Sequence, residues 1–147
     1  MNKLILPFPL PTWNRILAMH PWQRKTLRDW IHYGVWRVVR GLNISEAERI
    51  NYEYLIRPAK KTKKKFKWSM VRREAAFSVE SLPVSLHFHS KRHRLADPDG
   101  LSAKAVIDGM VKAEIFPDDS VKEISKVSHS QEKTIKPAIE ETIITIT

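Results

Sequence analysis

Apolar and polar positions recur with different periods along the chain, and the period indicates what each stretch can build. The opening Lys3-Leu4-Ile5-Leu6-Pro7 is a brief apolar run. Pro7, Pro9 and Pro11 bar both a helix and a central strand beyond it, so the run predicts a short strand and then an extended Pro-rich connection. From Pro21, a favourable first-turn residue, Leu27, Trp30, Ile31, Val35 and Val38 recur at helical spacing with Gly34 on the same face. This is the clearest amphipathic helix in the chain. Gly41 and Asn43 supply its stop, and Ser45 followed by Glu48 has the spacing of a capping box that starts a second, shorter helix. Period two takes over at Phe77-Ser-Val79 and at Val84 to His89. It predicts half-buried strands, with Leu86 and Phe88 on one face and His87 and His89 on the other.

Asp97-Pro98-Asp99-Gly100 cannot begin inside a helix, because proline disfavours helical geometry at the residue before it. Asp99 is then placed to cap a following helix. Ala103, Val106, Ile107 and Met110 share one face of that helix, and Lys104, Asp108 and Lys112 align on another. Phe116-Pro117 ends it, Asp118-Asp119 makes a turn, and residues 121–130 and 142–147 read as closing strands. Strand, helices, strands, helix and strands in that order predict an α/β or α+β domain with a mixed sheet. The 147 residues, 42% of them apolar, suit one such domain over 1–147.

Charge sharpens the picture. The net charge is +10 and the pI about 10.0, a balance that favours a polyanionic partner. Nine Lys or Arg and no acid fall between Arg57 and Arg73; Lys60, Lys61, Lys63, Lys64, Lys65, Lys67, Arg72 and Arg73 are the candidate DNA contacts. Such a run reads equally as a solvated, mobile loop, and mobility is compatible with DNA contact. Trp68, inside it, is a candidate for base stacking, whereas Trp30 and Trp36 suit a core or a dimer contact. Cysteine is absent, so thiolate chemistry and disulfides are excluded and any metal must be held by oxygen or imidazole. His87-Phe-His89 is weak as a metal pair, because no third imidazole stands at a recognisable spacing, and exposed or DNA-facing histidines are the expectation. No signal-peptide core and no spanning apolar stretch is evident, which reads as a soluble cytoplasmic protein without a membrane partner.

Seven acids against three lysines lie between Asp97 and Glu123. Two acidic pairs, Asp97 with Asp99 and Asp118 with Asp119, bracket one predicted helix that carries Lys104. Either pair alone is ordinary turn chemistry. Together they offer oxygen donors for Mg²⁺ or Mn²⁺, cations suited to phosphodiester hydrolysis because they neutralise developing charge and acidify a bound water.

Asp97-Pro-Asp99-Gly-Leu, Lys104-Ala-Val-Ile-Asp108-Gly-Met and Ala113-Glu-Ile-Phe-Pro-Asp118-Asp119 resemble the signature of RusA-type crossover junction endodeoxyribonucleases, common in phages and prophages. The opening Leu6-Pro-Phe-Pro-Leu-Pro-Thr-Trp-Asn14 resembles that family's N-terminal strand and turn. The resemblance implies a small homodimer in a bacterial or phage-infected cell, with a mixed sheet and helices, that binds four-way DNA junctions and nicks them with Mg²⁺ or Mn²⁺. It implies metal ligation by Asp97, Asp99 and Asp119, a catalytic or DNA-contacting Lys104, and further acidic site residues at Asp108 and Asp118. Gly100 stands where the family pattern has Asn, and Glu114 where it has Gly in a turn. Two competing readings are a basic nucleic-acid-binding protein that has lost catalysis and an RNA- or ribosome-associated protein whose acids are merely solvated.

Overall fold

A computed structural model describes residues 2–57 and 82–147. The first strand, β1 (Asn2–Leu6), leads through the Pro-rich connection to α1 (Trp13–Ala18), α2 (Pro21–Val39) and α3 (Glu46–Ile56). Then come β2 (Val84–Arg92), α4 (Lys104–Lys112), β3 (Ile124–Lys133) and β4 (Glu141–Ile146). The four strands form one sheet in the order β1-β4-β2-β3, with β1 and β2 antiparallel to β4 and β2 parallel to β3. The described residues thus form an α+β arrangement with a mixed sheet. No described helix is long and apolar enough to cross a membrane.

Alternation decides which face of the sheet is covered. Along β2, Val84, Leu86, Phe88, Ser90 and Arg92 are buried while the residues between them are half-exposed. Leu4, Leu6, Ile144 and Ile146 continue that face across β1 and β4. Helix α2 packs its Leu27, Trp30, Ile31 and Val35 into the core, and α4 contributes Val106 and Met110. The two helices approach closely at Gly109, where an added Cβ would lie 3.2 Å from both the His32 Cα and the Val35 Cβ.

The Pro-rich connection is buried, although its prolines lack N–H groups to pair with other backbone. Side chains satisfy its carbonyls instead. Thr142 Oγ1 donates to the Phe8 carbonyl at 2.9 Å, the Tyr52 hydroxyl to that of Pro9, and Arg92 Nη1 to that of Leu10 at 2.7 Å. Phe8 meets the Trp30 ring edge-on at 4.9 Å, and Trp30 stacks on Tyr52 at 4.3 Å. Such aromatic pairs contribute about 0.5–1.5 kcal/mol each beyond the area they bury. Trp30 is therefore a core residue, and Trp36 lies at the core's edge beneath the Arg40 guanidinium, 4.6 Å from its ring centroid.

Several sequence expectations change here. The stretch after Pro11 is not wholly extended: Thr12 accepts from the Arg15 N–H and caps the short helix α1. Val38 is only half-buried. Residues 121–123 form a turn, so β3 begins at Ile124 and runs on to Lys133, three residues past the expected end. Ser45 does cap α3, accepting from the Glu48 N–H at 3.2 Å. Phe77 and Val79, expected as strand, lie outside the described residues, as do Trp68 and the candidate DNA contacts Lys60, Lys61, Lys63, Lys64, Lys65, Lys67, Arg72 and Arg73.

Candidate active site

Asp97 and Asp99 sit in a tight turn. The Gly100 N–H donates to the Asp97 carbonyl at 2.9 Å, which makes Pro98 and Asp99 the central residues, and proline favours the first of those two places. A Cβ on residue 100 would lie 3.1 Å from the Asp97 carbonyl oxygen, so glycine suits this turn better than the asparagine of the family pattern.

Asp99 does not cap the helix that follows. Trp13 N–H donates to the Gly100 carbonyl at 2.9 Å and Ser102 N–H to that of Pro11 at 3.0 Å, with Thr12 and Leu101 bridged antiparallel. Pairing with the N-terminal segment holds 100–102 extended, and α4 starts only at Lys104, with Ala103 as an N-cap that offers no side-chain bond. At its other end Glu114 takes φ 65°, as a residue standing in for glycine must. The Glu114 and Ile115 N–H groups return to the Val111 and Met110 carbonyls, closing the helix in a left-handed C-cap.

Lys104 opens α4 with an exposed side chain whose Nζ lies 3.8 Å from Asp108 Oδ2, one helical turn on. Asp118 and Asp119 occupy the loop from α4 to β3, both exposed, and the Asp119 N–H donates to Asp118 Oδ1 at 2.8 Å. Lys104 and Asp119 together border a groove of about 320 Å³ between α4 and β3, alongside Leu101, Ile107, Trp13 and His129. Asp97 and Asp99 do not line it; they stand on the turn leading into Leu101.

The donor chemistry of Asp97, Asp99 and Asp119 suits a hard divalent cation. Their spacing does not: among the described residues no three His, Asp or Glu side chains lie close enough to hold one ion. As placed, the trio is not a chelate. The histidines are occupied elsewhere. His87 shares its ring nitrogens with Ser128 and Ser130 at 2.7 Å each, and His89 with Ser130 at 2.6 Å and Glu132 at 3.1 Å, a polar ladder across β2 and β3. They share one face, as their spacing predicts, but are half-buried rather than freely exposed.

Trp13 and His129, which flank the groove, carried no functional reading in the sequence. Trp13 is 41% exposed at the start of α1, and the His129 ring stacks on Phe88 at 5.5 Å. A second group also escaped notice. Arg57, at the end of α3, grips Glu140 through two hydrogen bonds of 2.6 and 3.0 Å, and the His93 N–H donates to the same carboxylate. Burial would raise the Glu140 pKa, but these donors prevail and hold it below the usual range. Compared with known proteins, the chain matches no family model and no curated protein.

Proposed function

We propose that the protein is a small, divalent-metal-dependent endodeoxyribonuclease of RusA type that binds branched DNA as a homodimer and nicks it. The observation that carries this reading is the groove shared by Lys104 and Asp119, entered by the segment that follows Asp97 and Asp99. The net charge of +10 suits a DNA ligand. In this reading Lys104 donates to a phosphate oxygen, Asp97, Asp99 and Asp119 are the acidic groups on which Mg²⁺ or Mn²⁺ dependence rests, and Asp108 holds the lysine. Asp118 orients the turn that presents Asp119, since its carboxylate accepts from the Asp119 backbone.

One observation favours a second reading. Because the three carboxylates are not gathered, a basic DNA-binding protein without catalysis accounts for the same surface. Nicking of a synthetic four-way junction beside linear duplex, in Mg²⁺, in Mn²⁺ and in chelator, separates the two. The nuclease reading expects metal-dependent nicks on the junction. It also expects Asp99→Asn to fold normally, because Asp99 caps no helix, and to lose at least about 10²-fold in rate. Junction binding without nicks in either metal overturns it. Sedimentation checks the dimer: two matched cuts call for a twofold assembly, and a strict monomer on and off DNA opposes a resolvase.

A further inference from the structure

We infer that the protein holds a phosphate group in an arginine-lined cavity between the Pro-rich connection and the segment leading into Asp97. The cavity encloses about 240 Å³, and Arg57, Arg92, Arg94 and Thr12 supply its polar lining while Leu10 and Ile56 supply apolar wall. No acid lines it.

Arg92 is the central observation. It ends β2 on the buried face of the strand, in line with Leu86 and Phe88, and is only 3% exposed. Its Nε and Nη1 donate to the Arg94 and Leu10 carbonyls at 3.2 and 2.7 Å. Nη2 has no acceptor among the described residues, yet it is not among the polar side-chain atoms sealed from solvent. A buried guanidinium whose Nη2 faces a cavity that it lines has a donor free for an acceptor placed there. Burial and the neighbouring Arg57 charge both work against its cationic form, so an anion placed there would relieve a cost already built into the fold.

The charge around the cavity is unbalanced. Glu140 offsets Arg57, which leaves Arg92 and Arg94 without a carboxylate partner among the described residues. Two planar forks suit the tetrahedral, multiply accepting oxygens of phosphate better than a point-like acceptor, and guanidinium stays charged at any working pH. Thr12 Oγ1 already accepts from the Arg15 N–H, so its own proton remains to donate. The ligand chemistry is a phosphate mono- or diester, from a nucleic-acid strand or from a free phosphorylated small molecule.

The test reads binding in chelator, so that it does not depend on cleavage. Inorganic phosphate, a short oligonucleotide with a 5′-phosphate and the same oligonucleotide with a 5′-hydroxyl are titrated while arginine side-chain and backbone NMR resonances are followed. Phosphate should shift Arg92, Arg94 and Thr12 together. Arg94→Ala, a change at an exposed residue, should weaken this binding about tenfold or more, the scale of one lost charge-assisted hydrogen bond. Arg92→Lys should weaken it likewise by removing the fork. If Arg92→Lys does not fold, Arg94→Ala and Arg94→Glu still decide the matter. Preference for the phosphorylated oligonucleotide over inorganic phosphate supports a strand as the source, and the reverse supports a small molecule. Wild-type protein whose resonances ignore phosphate, or Arg94→Ala with unchanged binding, overturns the site. Junction nicking alongside absent phosphate binding overturns this inference alone, whereas phosphate binding without nicking in either metal overturns the nuclease reading alone.

Discussion

Glu114 holds a left-handed backbone, φ 65°, just after the C-cap Ala113 of α4, a conformation that costs a residue with a Cβ about 1–2 kcal/mol. Glu114→Gly should therefore stabilise the fold by about 0.5–1 kcal/mol, less than the full cost because glycine loses more chain entropy on folding. A rise in the urea midpoint at constant slope is the expected result. His32 presents the opposite case, a buried polar group with neither ring nitrogen hydrogen-bonded among the described residues. Burial first, then the charge of Lys112, pull its pKa below 6.5, although Asp108 and Asp29 oppose them. The folded state thus keeps His32 neutral while the unfolded chain takes up a proton below that value, so stability is full above pH 6.5 and is lost as pH falls through it. Glu140 adds to the loss only as pH falls through 4.5, where the unfolded chain protonates this carboxyl while the folded state keeps it ionised. His32→Leu should reduce the slope of the stability profile between pH 6.5 and 4.5, with His129, whose pKa burial also lowers, retaining part of it, and leave the acid limb below 4.5 in place. An unchanged slope in that interval would place the proton uptake elsewhere.

At the scale of elements, the Pro-rich connection is held by what other elements lend it. Thr142 on β4, Tyr52 on α3 and Arg92 on β2 each give a donor to successive carbonyls at 8, 9 and 10. Thr142→Val keeps the shape of the side chain and leaves the Phe8 carbonyl buried without that donor, so it should cost about 1–3 kcal/mol by chemical denaturation. This dependence also shows where sequence reading succeeds. The helical spacing of Leu27, Trp30, Ile31 and Val35 and the alternation from Val84 to His89 are local signals, and α2 and β2 form where they point. Long-range pairing is not local: the bridge between Thr12 and Leu101 delays α4 until Lys104 and deprives Asp99 of the cap its spacing suggested. The site divides in the same way. Lys104 and Asp108 meet because they are one helical turn apart, and Lys104 shares a groove with Asp119 across the loop after α4. Asp97 and Asp99 do not join them, because their turn is placed by the pairing of 100–102 with the N-terminal segment, which spacing does not encode. Arg92 was legible in principle, since extending the alternation of β2 by two more steps puts it on the buried face, where an arginine is rare enough to ask for a reason.

For the whole molecule, the excess of ten positive charges sets the terms on which any polyanion is met. Much of it is concentrated in the nine Lys and Arg between Arg57 and Arg73, only the first of which lies among the described residues and is spent on Glu140. Each phosphate that a protein cation neutralises on duplex DNA releases condensed counterions and adds about 0.9 to the magnitude of the slope of log affinity against log salt. Binding to a junction should therefore weaken steeply as salt rises. Replacing Lys63, Lys64 and Lys65 together by alanine should lower the slope by up to about 2.7 if all three meet phosphate. Arg94→Ala, which removes a cation from the arginine-lined cavity, should lower it by about 0.9 at most, and only if a strand phosphate is seated there. When both groups neutralise phosphates on one DNA, the two slope changes should sum. Fluorescence anisotropy of a labelled junction over a salt series, in chelator so that cleavage is silent, measures every slope on the same scale. A triple-lysine variant with the wild-type slope would remove those three lysines from the DNA interface.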